Sequence, residues 1–166
     1  MLAGQPANQD FSDFFGMLWH WGVHPAPLVI SGLRALAAGI ALLLSLRVMR
    51  LFRRQSALQA FGVMLLALTY LMLFNPRTEE NSYVMLAGFV ALLAARNVLA
   101  GATRSALLLS LFCLALAVEI YGYPIFPLTK IWFKPCITAF FFVILIWHHF
   151  ALLRDPANDD RGTARL

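Results

Sequence analysis

Asn75-Pro76-Arg77-Thr78-Glu79-Glu80-Asn81-Ser82 is a polar island between two strongly apolar stretches, Phe61-Gly-Val-Met-Leu-Leu-Ala-Leu-Thr-Tyr-Leu-Met-Leu-Phe74 and Tyr83-Val-Met-Leu-Ala-Gly-Phe-Val-Ala-Leu-Leu-Ala-Ala95. An Arg, two carboxylates and two Asn cannot stay in hydrocarbon without partners, so the island sits at a water boundary or lines a polar cavity. The flanking stretches then read as two membrane helices joined by a turn. Composition extends this to the whole chain: of 166 residues, 61% are hydrophobic and only 13% charged, against about one-quarter charged in an ordinary soluble domain. The fold class expected is an all-α integral membrane protein.

The net charge is +5, but the arginines gather at the ends of apolar stretches instead of forming one basic face, which argues against nucleic acid as a partner. Cys113 and Cys136 lie in or beside apolar segments without CxxC or Cys/His spacing and read as packing residues. Residues 1–27 lack the basic start of a cleavable signal and contain Asp10, Asp13 and prolines. This polar beginning suggests that something upstream is missing.

Within residues 1–27, Phe11, Phe14, Phe15 and Leu18 recur at helical spacing, with Trp19 and Trp21 at interfacial depth. The segment is too short to span, and an amino-terminal interfacial helix on the bilayer is expected, with Asp10 or Ser12 available as its cap. Pro25 and Pro27 open a first span over about residues 28–46, followed by Arg47, Arg50, Arg53 and Arg54. The second span covers about residues 57–74, and the third about 83–99, shortened by Arg96 and Asn97 and in need of shielding by its neighbours. Arg104 precedes a fourth, about residues 105–121, which ends at Glu119 and Tyr121-Gly-Tyr-Pro124. A loop with Pro127, Lys130, Trp132 and Lys134 leads to a fifth, about residues 135–153. The domain plan is therefore an extracytoplasmic segment 1–27, a five-span bundle 28–153 and a disordered cytoplasmic tail 154–166. No internal repeat is evident.

Assigning alternate loops to alternate sides puts Arg47, Arg50, Arg53, Arg54, Arg96, Arg104, Arg154, Arg161 and Arg165 together, against Arg77, Lys130 and Lys134 on the other. The positive-inside rule makes the first set cytoplasmic. The amino terminus, the island and the loop after the fourth span then face outward from a bacterial inner membrane or a plasma membrane.

On the residues Asn75 to Val84, the island resembles the late extracytoplasmic loop of glycosyltransferase family 87, and Asn8-Gln9 ahead of a hydrophobic helix extends the likeness. That family belongs to the GT-C superfamily, which includes polyprenyl-phosphate-mannose-dependent α-mannosyltransferases. The resemblance covers only the carboxyl-terminal part of such an enzyme, giving a partial GT-C-like bundle. Family members carry an acidic catalytic residue in the first outer loop and about twice the spans; no earlier span is present here, and Asp10 and Asp13 stand in a different context. The resemblance thus implies a truncated or split enzyme that is inactive alone, with a separately encoded amino-terminal half as a partner.

GT-C chemistry, as the resemblance implies it, moves a hexose from a lipid-linked phosphate to an acceptor hydroxyl with inversion, needing a base near the hydroxyl and positive charge at the leaving phosphate. Arg77 suits the phosphate, since a guanidinium holds two oxygens at once; its bland role is a snorkelling or salt-bridging Arg. Glu79 and Glu80, being adjacent, point apart, so one can meet a sugar or acceptor hydroxyl while the other pairs with Arg77. Equally, Glu80, Asn81 and Ser82 can cap the third span. Asn81 reads as a cap before a ligand, and Asn8 and Gln9 as further hydrogen-bonding groups. Arg34, about 9 Å inside the first span, needs an anion, with donor phosphate and Glu119 as candidates and a structural pair favoured.

His20, His24, His148 and His149 read as interfacial anchors, since His148 and His149 point to different faces and lie across the membrane from the carboxylates. Lys130 and Lys134 around Trp132 either meet lipid phosphate or belong to an aromatic belt. No cofactor is expected beyond the lipid-linked sugar donor, and no spacing demands a metal. Two functions follow: the carboxyl-terminal part of a glycosyltransferase moving mannose or another hexose from polyprenyl phosphate to an extracytoplasmic acceptor, or a non-catalytic membrane scaffold or lipid-carrier-binding subunit.

Overall fold

The computed structural model describes residues 12–76, 78, 82–117 and 131–154, with side chains as far as Trp147. All regular structure among the described residues is helical: α1 (Phe14–His20), α2 (Pro27–Leu51), α3 (Ser56–Phe74), α4 (Tyr83–Leu99), α5 (Thr103–Ala117) and α6 (Phe133–Arg154). α2 and α3 are long and apolar enough to cross a membrane; α4, α5 and the apolar run of α6 are shorter.

Helix ends follow from local chemistry. Pro27 sits in the first turn of α2, where its missing N–H is no loss. α1 and α4 both stop on a glycine in the left-handed region, Gly22 at φ 79° and Gly101 at φ 72°. In each case the next two amides turn back on the last helical turn: Gly22 N to the Trp19 carbonyl and Val23 N to Leu18, then Gly101 N to Val98 and Ala102 N to Asn97. This paired closure satisfies carbonyls that a helix end otherwise leaves bare, and it makes the α4–α5 connection a tight reversal.

α3 is the centre of the bundle, packing against α1, α2, α4 and α6, while α4 packs chiefly on α5. Neighbours run antiparallel. Ala37 and Ala41 of α2 meet Leu73 and Tyr70 near the end of α3, and Phe61 of α3 stacks on Phe89 of α4 at 5.6 Å. The principal core gathers Leu44, Val48, Leu65, Leu66, Leu86, Val90, Leu116 and Phe141 from five helices. Large apolar side chains nevertheless stay exposed on every long helix, among them Leu43, Leu92, Leu108 and Phe140.

Several boundaries move from the sequence expectation. α2 continues through Arg47 and Arg50, because arginine is a good helix former and a charge at a water boundary gives no reason to stop. α6 starts before Pro135 and takes Lys134 into its first turn, fully buried at 1% exposure, so Lys134 is not a loop residue facing lipid. α1 turns Phe15 and Met17 into protein, against α3 and α6, instead of giving its apolar side wholly to a bilayer. Its cap is Asp13, not Asp10 or Ser12. Asp10, Glu119, Tyr121 to Lys130 and the tail 155–166 lie outside the described residues.

Candidate functional site

Polar side chains buried in the described residues collect at one end of the bundle, where α1, the start of α2, the end of α3 and the starts of α4 and α6 meet. The turn Trp21 to Ala26 folds α2 back beside α1, and Trp21 lies 6.2 Å from Trp132 ahead of α6. Phe14 and Phe15 pack against Phe74, the last residue of α3. The polar groups of this end are thus held on an aromatic floor.

Asp13 is 1% exposed and does two things. Its Oδ1 accepts from Gly16 N at 2.7 Å, closing the first turn of α1. Its Oδ2 lies 3.6 Å from Arg34 Nη2, close enough for an ion pair but too long for a hydrogen bond. Arg34 keeps 27% of its side chain exposed and spreads its guanidinium over the Phe15 ring, 5.0 Å from the centroid. Burial lifts the Asp13 carboxyl above its ordinary value, while the Gly16 amide and the Arg34 charge pull it back. Neither partner is fully satisfied: Asp13 Oδ2 and Arg34 Nε are buried with no hydrogen-bond partner.

Beside this loose pair stands a tight clasp. Tyr83, fully buried at the start of α4, directs its hydroxyl at the Ser12 carbonyl (2.6 Å) and the Met72 carbonyl (3.0 Å). Thr78 is buried too: its hydroxyl meets the carbonyls of Asn75 at 2.9 Å and Leu71 at 3.2 Å, and its own carbonyl accepts from Ser12 N at 3.0 Å. Residues of the island and its border therefore tie the chain ahead of α1 to the α3–α4 turn. On α6, Thr138 sits one turn after Lys134 with its hydroxyl buried and unpaired. The contrast with Thr69, Ser110 and Asn97 is plain, since each of those donates to the carbonyl four residues back.

Of the candidate substrate-binding residues read from the sequence, Arg34 is the one among the described residues, and it lies at this end. Arg77, Glu79, Glu80, Asn81, Asn8 and Gln9 lie outside the described residues. Among the described residues Arg34 meets Asp13, and Glu119 lies outside them. Ser82 occupies the N-cap position of α4 without a side-chain cap bond. His20 and His24 are exposed, and His24 Nδ1 lies 3.0 Å from the Gly22 carbonyl. Cys113 is a free, half-buried thiol that donates to the Ala87 carbonyl at 3.3 Å, joining α5 to α4.

Asp13, Tyr83 and Thr138 were not singled out as site residues by sequence reasoning. Asp13 carried a usable signal, a carboxylate three residues ahead of Gly16 at the start of an apolar helical pattern. The chain matches no family model, no curated protein and no solved structure.

Proposed function

We propose that the chain is a multi-span membrane bundle forming the carboxyl-terminal part of a transferase that moves a hexose, mannose by the resemblance, from polyprenyl phosphate to an extracytoplasmic acceptor. The membrane reading draws support from the apolar side chains exposed on every long helix and from two helices of spanning length. The arginines Arg50, Arg53, Arg54, Arg96 and Arg104 lie at the end of the bundle opposite Asp13, which supports a reading with the polar end outward.

The observation that carries the reading is the incompletely satisfied Asp13–Arg34 pair, buried at the end where the island joins α3 to α4. An ionised carboxylate only accepts and a guanidinium only donates. A hydroxyl can do both at once, bridging Arg34 Nε to Asp13 Oδ2. A phosphate offers acceptors alone and meets repulsion from the carboxylate. The pair therefore suits a hydroxyl of the sugar or the acceptor, leaving phosphate to Arg77. Glu79, Glu80, Asn81, Asn8 and Gln9 remain candidates for the other polar contacts, and the polyprenyl-phosphate sugar remains the partner.

The rival reading, a scaffold or lipid-carrier-binding subunit without catalysis, is favoured by Thr78 and Tyr83, whose hydroxyls are directed to carbonyls of the fold itself. Expression of the chain with its genomic neighbours, followed by transfer assays with labelled polyprenyl-phosphate mannose, separates the two. The transferase reading expects transfer that Arg34→Gln and Arg77→Ala reduce at least tenfold with the bundle still folded. Unchanged transfer with lowered thermal stability would leave the scaffold.

A further inference from the structure

The end of the bundle opposite Asp13 has chemistry of its own. α2 closes into the turn that leads to α3 with Arg50, Arg53 and Arg54 exposed, and the α4–α5 reversal carries Arg96 and Arg104, also exposed. Among the described residues none of the five makes an ion pair or hydrogen bond. Asp13 is the one carboxylate in the described residues, and it lies at the far end. The tail 155–166 adds Asp155, Asp159 and Asp160 against Arg161 and Arg165, too few carboxylates to neutralise the set.

Backbone groups at this corner are already served. Gln59 Nε2 donates to the Met49 carbonyl at 2.6 Å, Phe52 N to Val48 and Gln55 N to Phe52. The guanidiniums are therefore not drawn into closing the helix, and five like charges share this end of the bundle without a counter-ion among the described residues. Within five residues of them in sequence stand exposed apolar side chains: Leu46, Met49 and Leu51 at the first corner, Val98, Leu99 and Leu107 at the second, with Leu99 90% exposed. An arginine cluster over an apolar wall matches a ligand that has a phosphate at one end and hydrocarbon at the other.

From this arrangement we infer that the arginine-bearing end binds anionic phospholipid, with the headgroup phosphates held by Arg50, Arg53, Arg54, Arg96 and Arg104 and the acyl chains laid along the exposed leucines and valine beneath. The inference rests on the membrane reading given above, but not on the transferase chemistry. Guanidinium forks hold phosphate oxygens two at a time, and a basic residue near an anionic bilayer surface strengthens attachment about fivefold. Free phosphate lacks the hydrocarbon that the wall would cover, so the surface is assigned to lipid.

The test uses the full chain purified in neutral detergent, with dioleoyl phosphatidylglycerol or dioleoyl phosphatidylcholine added at equal concentration and retained lipid counted by native mass spectrometry. Phosphatidylglycerol should be retained at least tenfold better. R50Q/R53Q/R54Q should remove most of that preference without changing phosphatidylcholine retention, while R50K/R53K/R54K should keep part of it. For the unaltered protein, the preference should collapse in 1 M salt, where charge acts over only about 3 Å. Equal retention of both lipids, or inorganic phosphate competing as well as phosphatidylglycerol, would overturn the inference. So would a preference that survives both the glutamines and the salt. Recovery of the chain in the soluble fraction would overturn the membrane reading with it; a membrane-held chain without lipid preference overturns this inference alone.

Discussion

Replacing Asp13 separates two effects that one side chain combines. Its Oδ1 closes the first turn of α1 through Gly16 N, and loss of such a cap costs about 1 kcal/mol. Its Oδ2 faces Arg34 Nη2 at 3.6 Å; with Arg34 partly open to solvent, the pair contributes about 1 kcal/mol, the upper part of the range for exposed ion pairs. Asp13→Ala loses both and should cost about 2 kcal/mol. Asp13→Asn keeps a capping oxygen and removes the charge, so it should cost no more than about 1 kcal/mol. In a cycle with Arg34→Gln, the Asn variant should show a coupling of about 1 kcal/mol. Thermal and denaturant unfolding in detergent, followed by tryptophan fluorescence, reads the unaltered protein and the four variants. Equal losses for Ala and Asn would refute the cap. Strict additivity with Arg34→Gln would refute the pair. The pH dependence carries a fixed sign as well: burial raises the folded carboxyl above its ordinary value, so the folded state holds more protons in that window. Stability is therefore greatest on the acid side and falls as pH rises through the raised value. Asp13→Asn should flatten that fall, and an unchanged profile would show that Asp13 does not titrate as described.

At Gly62 an added Cβ would stand 2.6 Å from Val48 Cγ1, and a β-branched side chain fixed in the core cannot swing away; Gly62→Ala should cost about 1–3 kcal/mol, recovered in part by Val48→Ala in a double-mutant unfolding series. Gly39 has open space around it, so Gly39→Ala should be neutral or stabilising by up to about 1 kcal/mol, and a loss there in the same assay would contradict the packing of α2. Tyr83→Phe leaves the buried Ser12 carbonyl without its 2.6 Å donor and should cost about 1–3 kcal/mol, with hydrogen exchange rising at the α3–α4 turn before it rises in the core. Topology is checked in a background without Cys113 and Cys136: Asn75→Cys, which is exposed, should label from outside intact cells and Arg53→Cys only after permeabilisation. The reverse pattern would invert the orientation.

How far the sequence could be read depends on the range of the interaction concerned. Apolar runs broken by Arg, Pro and Gly report local chemistry, so each expected span overlaps a helix, and Pro27 opens α2 as proline at a first turn should. Ends differ where the sequence reading stops a span at a charge: Arg47 and Arg50 continue α2 because arginine is itself a good helix former. Lys134 misled in the opposite way, since nothing local announces that a lysine beside Trp132 will be buried under neighbouring helices. Arg34 was recognised as needing an anion, yet Asp13 was not recognised as its partner. The pair depends on how the turn Trp21 to Ala26 lays α1 beside α2, and composition does not encode that angle. Thr78 is legible as part of the island, but the bond that its carbonyl accepts from Ser12 N depends on the chain ahead of α1 returning to the α3–α4 turn.

The polar groups at the Asp13 end of the bundle divide according to how they are satisfied, and the division bears on function. Tyr83 and Thr78 are directed to carbonyls of the fold, so removing them should loosen the bundle whatever the protein does. Asp13 Oδ2, Arg34 Nε and Thr138 Oγ1 are buried without a hydrogen-bond partner, a state that costs stability in any apolar surrounding. Thr138 could have bonded its own helix, as Thr69 does with Leu65, so its free hydroxyl is not forced by residue type. A chain selected for stability alone would fill such positions with apolar side chains, since an unpaired buried polar group is worse than none. Retaining them makes sense where a molecule with its own donors and acceptors completes the set. A chain with Thr138→Val should then be no less stable than the original yet poorer at binding a hydroxyl-rich ligand, a separation that a purely architectural role for this residue does not allow.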